Sequence, residues 1–144
     1  MSVANDAASD AADVIIAAAK AYVDGDSDGV RGYLHDDVRL LGSEQGEDWS
    51  GVDAVMTGLG LELKRLAAGH QGLRGGGKAD GVLVRKAKSV PNEEVQVIGD
   101  IAWWSFTGQM DLDERYHHKT SWTVVLNRVG EDWKIRHSHF SIQR

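Results

Sequence analysis

The sequence contains no cysteine, and this absence excludes disulfide bonds, thiol nucleophiles and cysteine-based zinc sites. It also lacks a basic excess: 16 lysines and arginines stand against 22 aspartates and glutamates, a formal net charge of −6. This balance argues against a nucleic-acid partner, because phosphate binding needs a basic surface. No apolar run approaches the roughly 18 residues of a membrane span. The first residues show neither the basic nor the apolar region of a secretory signal, so we expect no membrane partner and a cytoplasmic location.

Apolar residues make up 42% of the 144 positions, which is enough for one core. We therefore predict a polar N-terminal tail over residues 1–12 and a single domain over residues 13–144. Apolar residues spaced by three and four predict a helix that begins at Ser9 or Asp10 and stops near Gly25. A short second helix is predicted from Ser27 or Asp28. A strand follows over residues 38–43, and a third helix over residues 51–69, although Gly58 and Gly60 weaken it by roughly 1 kcal/mol each.

The pattern changes to a period of two in the second half of the chain. Strands are predicted over residues 82–90 and 95–99 on either side of the single proline, Pro91. Three longer strands follow over residues 101–111, 118–128 and 133–142, joined by two hairpin-like turns. Helices come first and an antiparallel meander comes last. This order predicts an α+β fold in which N-terminal helices pack on one face of a curved, mostly antiparallel sheet.

Three segments carry a resemblance to a known family: "YLHDDVRLLGS", "GDIAWWSF" and "GEDWKIRHSHFS". They resemble the second helix and first strand, a middle strand and the final strand of SnoaL-like proteins in the nuclear transport factor 2-like (NTF2-like) superfamily. The resemblance implies a cone-shaped, ketosteroid isomerase-like fold with a pocket between the helices and the concave face of the sheet. Because this superfamily contains isomerases, cyclases, dehydratases, epoxide hydrolases and non-catalytic association domains, activity has to be argued from the site.

Matching the last strands to steroid isomerases and to a kinase association domain implies which side chains face the pocket. Alternate strand residues share a face, so one register determines the whole set unless a bulge intervenes. With Trp49, from the loop before the third helix, the predicted ligand-binding residues are Trp103, Ser105, Thr107, Gln109, Asp111, Lys119, Ser121, Thr123, Arg136, Ser138 and Phe140.

The alternate residues of the same strands are strongly apolar and are predicted to form the outer face of the sheet. Such a face would not be stable in water. Since related proteins pair sheet to sheet, the resemblance implies a homodimer through Trp104, Phe106, Trp122 and Trp133. The alternative is a register shifted by one residue, which would make this apolar set the core beneath the helices.

Two histidines, His137 and His139, share one side of the last strand, as some metal sites require. The sequence specifies no third ligand at a defined spacing, so we predict no metal and no cofactor and interpret the pair as structural, on the outer face. The positions that correspond to the isomerase base and oxyanion acids fall at or beside Gly42, near Ala19 or Lys20, and on Thr123. None of these residues supplies that chemistry.

A charged residue at Arg136 in a pocket-facing position requires a carboxylate partner, because a buried unpaired guanidinium is costly. The partner is either Asp111 or an acidic group of a ligand. The sequence therefore predicts a small-molecule-binding protein whose ligand is aromatic or polyketide-like with an acidic or carbonyl end. One alternative is a cofactor-independent cyclase, isomerase or dehydratase acting on a polyketide or steroid-like substrate. The other is a dimeric association module.

Overall fold

The structure, a computed structural model, describes residues 3–43, 45–69, 93–113 and 116–143, with side chains over residues 7–43, 45–69, 93–108 and 120–141. Three helices and six strands lie in these ranges. They are α1 (Val3–Val23), α2 (Ser27–Gly32), β1 (Leu34–Leu41), β2 (Asp48–Ser50), α3 (Val52–Ala67), β3 (Glu93–Ile98), β4 (Ile101–Asp113), β5 (Tyr116–Val129) and β6 (Asp132–Gln143). The strand predicted over residues 82–90 is outside the described residues.

Helix α1 begins well before the predicted cap at Ser9 or Asp10. Buried alanines at positions 7 and 11 continue its apolar stripe toward Ile15, so these two residues of the predicted polar tail pack on the core. The helix ends where predicted, because Gly25 takes a positive φ of 69°. A β-carbon on Gly25 would also lie 2.2 Å from the backbone nitrogen of Ala67, so this glycine lets the end of α1 approach α3.

The two shorter helices match their predicted positions. Helix α2 begins at Ser27, and the side chain of Asp26 caps it by accepting a hydrogen bond from the backbone N–H of Gly29 at 3.0 Å. Helix α3 buries the predicted stripe of apolar residues toward the sheet. None of the helices in the described ranges has the length and apolar character needed to cross a membrane.

The six strands form one sheet in the order β2-β1-β6-β5-β4-β3. The last four strands form the predicted antiparallel meander, and β1 joins it as a parallel neighbour of β6. Together with the N-terminal helices, this curved and mostly antiparallel sheet confirms the predicted α+β fold.

Strands β1 and β2 form a short antiparallel hairpin at one edge of the sheet. The Arg39 guanidinium donates to both carboxylate oxygens of Asp48, at 3.2 Å and 3.1 Å. This hydrogen bonding lowers the pKa of Asp48 and raises that of Arg39. Both groups are exposed, so we assign the pair to the solvated surface of the hairpin.

The register of β4 and β5 differs by one residue from the prediction. Ala102 and Trp104 on β4, and Val124 and Leu126 on β5, are fully buried against the helices. Successive strand residues point to opposite faces, so Trp103 and the β4 residues at intervals of two from it lie on the face away from the helices. The apolar set predicted for the outer face is therefore the core, because the helices cover it.

Strand β6 contains a bulge that changes its parity. Ile135 pairs with Leu126, whereas His137 pairs with the preceding residue of β5, so Arg136 is the extra residue. Because of this insertion, Trp133 and Ile135 on one side of the bulge share the helix-facing side with Ser138 and Phe140 on the other side.

The predicted interface residues all face the helices. Trp104 is 0% exposed and Trp133 is 3% exposed, and Phe106 and Trp122 pack against the same core cluster. The predicted homodimer interface through these four side chains is therefore wrong, because they pack in the core and do not face a second copy.

Candidate functional site

A cavity of about 140 Å³ lies between the helices and the sheet. Helix α1 contributes Ile15, Ala18, Ala19 and Tyr22 to its wall, and Leu59 of α3 closes another side. The alanines explain part of the space, since their side chains end at the β-carbon where a larger residue would fill the gap. The cavity therefore exists in part because this apolar helix face carries small residues.

The sheet supplies the opposite wall of the cavity. Trp122 of β5 and Ile135, Ser138 and Phe140 of β6 line it. Strand β1 and its turn add four residues, Leu34, Leu40, Leu41 and Gly42. Most of the lining is apolar, so the cavity suits a molecule with little charge.

Two polar side chains meet at the helical wall. The Tyr22 hydroxyl donates a hydrogen bond to Oε1 of Glu62, which is only 5% exposed. Both residues line the cavity. A carboxyl group in such a position needs hydrogen-bond partners, because burial in an apolar environment is costly without them. Tyr22 and Glu62 thus combine a hydroxyl and a carboxyl group at the edge of an apolar cavity.

Sequence reasoning missed Glu62 as a site residue, although the signal was present. Glu62 lies three residues after Leu59 and one before Leu63, within the apolar stripe of α3. A charged residue at a core-facing helical position is an informative exception to the pattern. Tyr22 fits the apolar spacing of α1, so the sequence pattern by itself indicates a packing role for this residue.

A second polar pair lies on the sheet wall. The indole Nε1–H of Trp122 donates to Oγ of Ser138 at 2.9 Å. The Trp122 ring is in edge-to-face contact with Trp104 and Phe140, with centroid distances of 5.2 Å and 6.3 Å. These contacts hold the indole in place at the sheet wall of the cavity.

Among the predicted site residues whose side chains the structure describes, two line the cavity, Ser138 and Phe140. The remaining described β4 and β5 candidates lie on the face away from the helices: Trp103, Ser105, Thr107, Ser121 and Thr123. The backbones of Gln109, Asp111 and Lys119 are in β4 and β5, but their side chains are outside the described set.

The other two candidates lie elsewhere. Trp49 is in β2, with its ring against α3 at Gly58 and outside the cavity lining. Arg136 is exposed at the bulge, and its guanidinium lies 3.8 Å from a carboxylate oxygen of Asp37. The prediction that Arg136 points into the pocket is therefore wrong, because the bulge directs it to the surface.

The histidines lie on the predicted face. His137 is half-buried and His139 is exposed, both on the side of β6 away from the helices. Among the described side chains, no three histidine, aspartate or glutamate residues come together in a group that could hold a metal.

Comparisons with known proteins agree with this architecture. The family model of the SnoaL-like domain matches residues 89–144, which comprise the last strands of the sheet. An NTF2-like protein of unknown function from Pseudomonas putida KT2440 superimposes with a TM-score of 0.68 at 19% identity, covering 97% of this chain and 89% of that one. The chain has the NTF2-like fold. No curated protein matches the sequence.

Two further solved structures support the same fold. A protein of unknown function from the DUF3225 family of Pectobacterium atrosepticum has a TM-score of 0.68 at 17% identity, over 96% of this chain and 92% of that one. A proposed dehydratase of the NTF2-like family from Streptomyces avermitilis has a TM-score of 0.63 at 14% identity, over 97% and 98%. These TM-scores show a shared fold, and the match to the SnoaL-like domain confirms the predicted resemblance.

Proposed function

We propose that the protein binds one small, mostly apolar molecule in the cavity between α1, α3 and the sheet. The observation that carries this proposal is an apolar cavity of about 140 Å³ with polar groups at two of its walls. An apolar cavity of roughly 150 Å³ takes up a benzene-sized molecule. The expected ligand, or the part of it that enters, is therefore the size of one six-membered ring.

The charge of the described lining favours a neutral ligand over an anion. Glu62 is the charged side chain in that lining, whereas Arg136 pairs with Asp37 at the surface. A ligand carboxylate beside Glu62 would meet a like charge in an apolar environment, which disfavours binding. The sequence predicted a ligand with an acidic or a carbonyl end. Of these two, the lining favours the carbonyl group.

Ligand uptake can be tested with toluene as a probe and a cavity-filling variant. Replacing Ala18 by Leu places a larger side chain in the space that the ligand would occupy. Toluene should raise the melting temperature of the wild type, by an amount equivalent to about 2.7 kcal/mol at a hundred times the dissociation constant. The Ala18→Leu variant should show no such increase.

The matched control is Ala54→Leu, which makes the same change at an exposed position of α3. Its response to toluene should equal that of the wild type. An equal response of all three proteins, or none in the wild type, would contradict binding in this cavity.

The Tyr22–Glu62 pair supports a second candidate, a cofactor-independent enzyme that moves a proton, such as an isomerase, cyclase or dehydratase. A carboxylate beside an apolar cavity can act as a general base, and a nearby hydroxyl can assist it. The dehydratase proposed for the Streptomyces relative belongs to the same broad class of chemistry.

Hydrogen exchange at the carbon next to a carbonyl group tests this candidate directly. Cyclohexanone in D₂O should exchange its α-protons faster with the wild type than with Glu62→Gln, because glutamine cannot accept the proton. A reduction of about a hundredfold in the catalysed rate is expected. NMR spectroscopy measures the exchange, and equal rates for the two proteins would leave binding as the function.

A further inference from the structure

The hydroxyl group of Ser138 has a fixed role toward Trp122. An indole N–H can only donate, so Ser138 Oγ accepts in the 2.9 Å hydrogen bond. The hydroxyl proton of Ser138 must therefore point away from Trp122. The hydrogen bond thus excludes the direction toward the indole and leaves this proton the directions on the other side of Oγ.

The neighbours of Trp122 leave its indole little freedom. Trp104 and Phe140 contact the ring edge to face, with interplanar angles of 85° and 87°. Trp122 and Ser138 also lie on adjacent, hydrogen-bonded strands, β5 and β6. Packing and strand pairing together hold the N–H of Trp122 toward Oγ of Ser138.

Ser138 is 9% exposed and lines the cavity. Among the described residues, no acceptor takes the proton of its hydroxyl group, since its side-chain hydrogen bond there is the one received from Trp122. A buried donor without an acceptor is unfavourable, and an oxygen atom of a bound molecule would satisfy it.

We propose that Ser138 donates a hydrogen bond to a carbonyl oxygen of the molecule in the cavity and that Trp122 positions this donor. This inference rests on the proposed binding function and assigns its specificity. Ser138 selects ring-sized ligands with a hydrogen-bond acceptor over apolar ligands of the same shape. Trp122 acts through Ser138 and is a positioning residue.

Two probes of nearly equal shape separate hydrogen bonding from cavity filling. Cyclohexanone carries a carbonyl oxygen where methylenecyclohexane carries a CH₂ group. The quantity to measure, by NMR titration, is the ratio of their two dissociation constants in each protein. Differences in the hydration of the free probes cancel when this ratio is compared between variants.

Replacing Ser138 by Ala should lower the preference for cyclohexanone by roughly two- to tenfold, the effect of one hydrogen bond. Ser138→Thr retains the hydroxyl group and should retain the preference, which guards against an effect of altered folding. Trp122→Phe, which removes the N–H, should lower the preference as Ser138→Ala does. Ser141→Ala, on the exposed side of the same strand, should leave it at the wild-type value.

The outcomes distinguish this proposal from the binding function. If both probes bind and the preference is equal in wild type and Ser138→Ala, the role of Ser138 is overturned while binding stands. An unchanged preference in Trp122→Phe overturns the positioning role. If neither probe binds the wild type, the binding function and the Ser138 assignment are both overturned.

Discussion

At the scale of single residues, two glycines of α3 have different surroundings. A β-carbon on Gly58 would lie 2.3 Å from Cε2 of Trp49, whereas one on Gly60 would have no atom within 4 Å. Gly58 therefore permits the close approach of the Trp49 ring to the helix. Gly60 has no comparable contact, so its main effect is the conformational freedom that it adds to the unfolded chain.

Alanine substitutions at these glycines should change stability in opposite directions. Gly60→Ala should raise the free energy of unfolding by about 1 kcal/mol through helix propensity. Gly58→Ala gains the same propensity but displaces the Trp49 ring, and overpacking of this kind costs about 1–3 kcal/mol. A net loss of up to about 2 kcal/mol is expected. Urea denaturation of both variants measures the difference, and equal stabilisation would show that the ring does not lie over Gly58.

Single positions also explain why Glu62 lines the cavity and Arg136, which was predicted to do so, does not. Both are charged residues within otherwise apolar patterns, and the helical period places Glu62 inward. Counting back by two from Ser138 would place Arg136 inward as well, but Arg136 is the inserted residue of the bulge and its side chain is exposed.

At the scale of elements, the bulge in β6 decides which residues of the last strand meet the cavity. Before it, Trp133 and Ile135 face the helices; after it, Ser138 and Phe140 do. A strand without the inserted residue would place one of these pairs on the outer face. The helices cover both pairs of side chains. Only a strand with the bulge can place both pairs on the helix-facing side in this sequence.

The neighbouring tryptophans of β4 provide a direct test of the register. Trp104 is 0% exposed, and its Nε1–H donates to Glu93 at 2.7 Å, whereas Trp103 is only partly buried on the other face. Trp104→Lys should lower the free energy of unfolding by at least about 3 kcal/mol, since it removes a core ring and introduces a buried charge. Trp103→Lys should cost about 1–2 kcal/mol.

Thermal unfolding followed by near-ultraviolet circular dichroism measures both variants. Each protein is the control for the other, because the substitution is identical and the positions are adjacent. A larger loss for Trp103→Lys than for Trp104→Lys would restore the register predicted from the family resemblance.

At the scale of the whole molecule, the two faces of the sheet differ in composition. The helix-facing side carries the aromatic cluster around Trp104 and the cavity beside it. The other side carries mostly polar residues, among them Gln96, Thr123 and His139. The apolar surface that motivated a sheet-to-sheet homodimer is therefore internal, and the aromatic side chains contribute to the core and to the cavity wall.

The sequence by itself determined the order of elements and the fold class. Hydrophobic spacing depends only on nearby residues, so α3, the meander from β3 to β6 and the end of α1 at Gly25 could be predicted. The final-strand motif also indicated the SnoaL-like resemblance. A period of two identifies a strand without stating which of its faces is buried.

Only the tertiary structure decided the face, the cavity and its polar groups. The choice of face depends on where the helices pack, and the parity of β6 depends on one inserted residue, Arg136. The Tyr22–Glu62 pair joins residues 40 positions apart on two helices, and the Trp122–Ser138 pair depends on the strand register that the bulge in β6 sets. Local patterns do not encode such contacts, because long-range packing brings these side chains together.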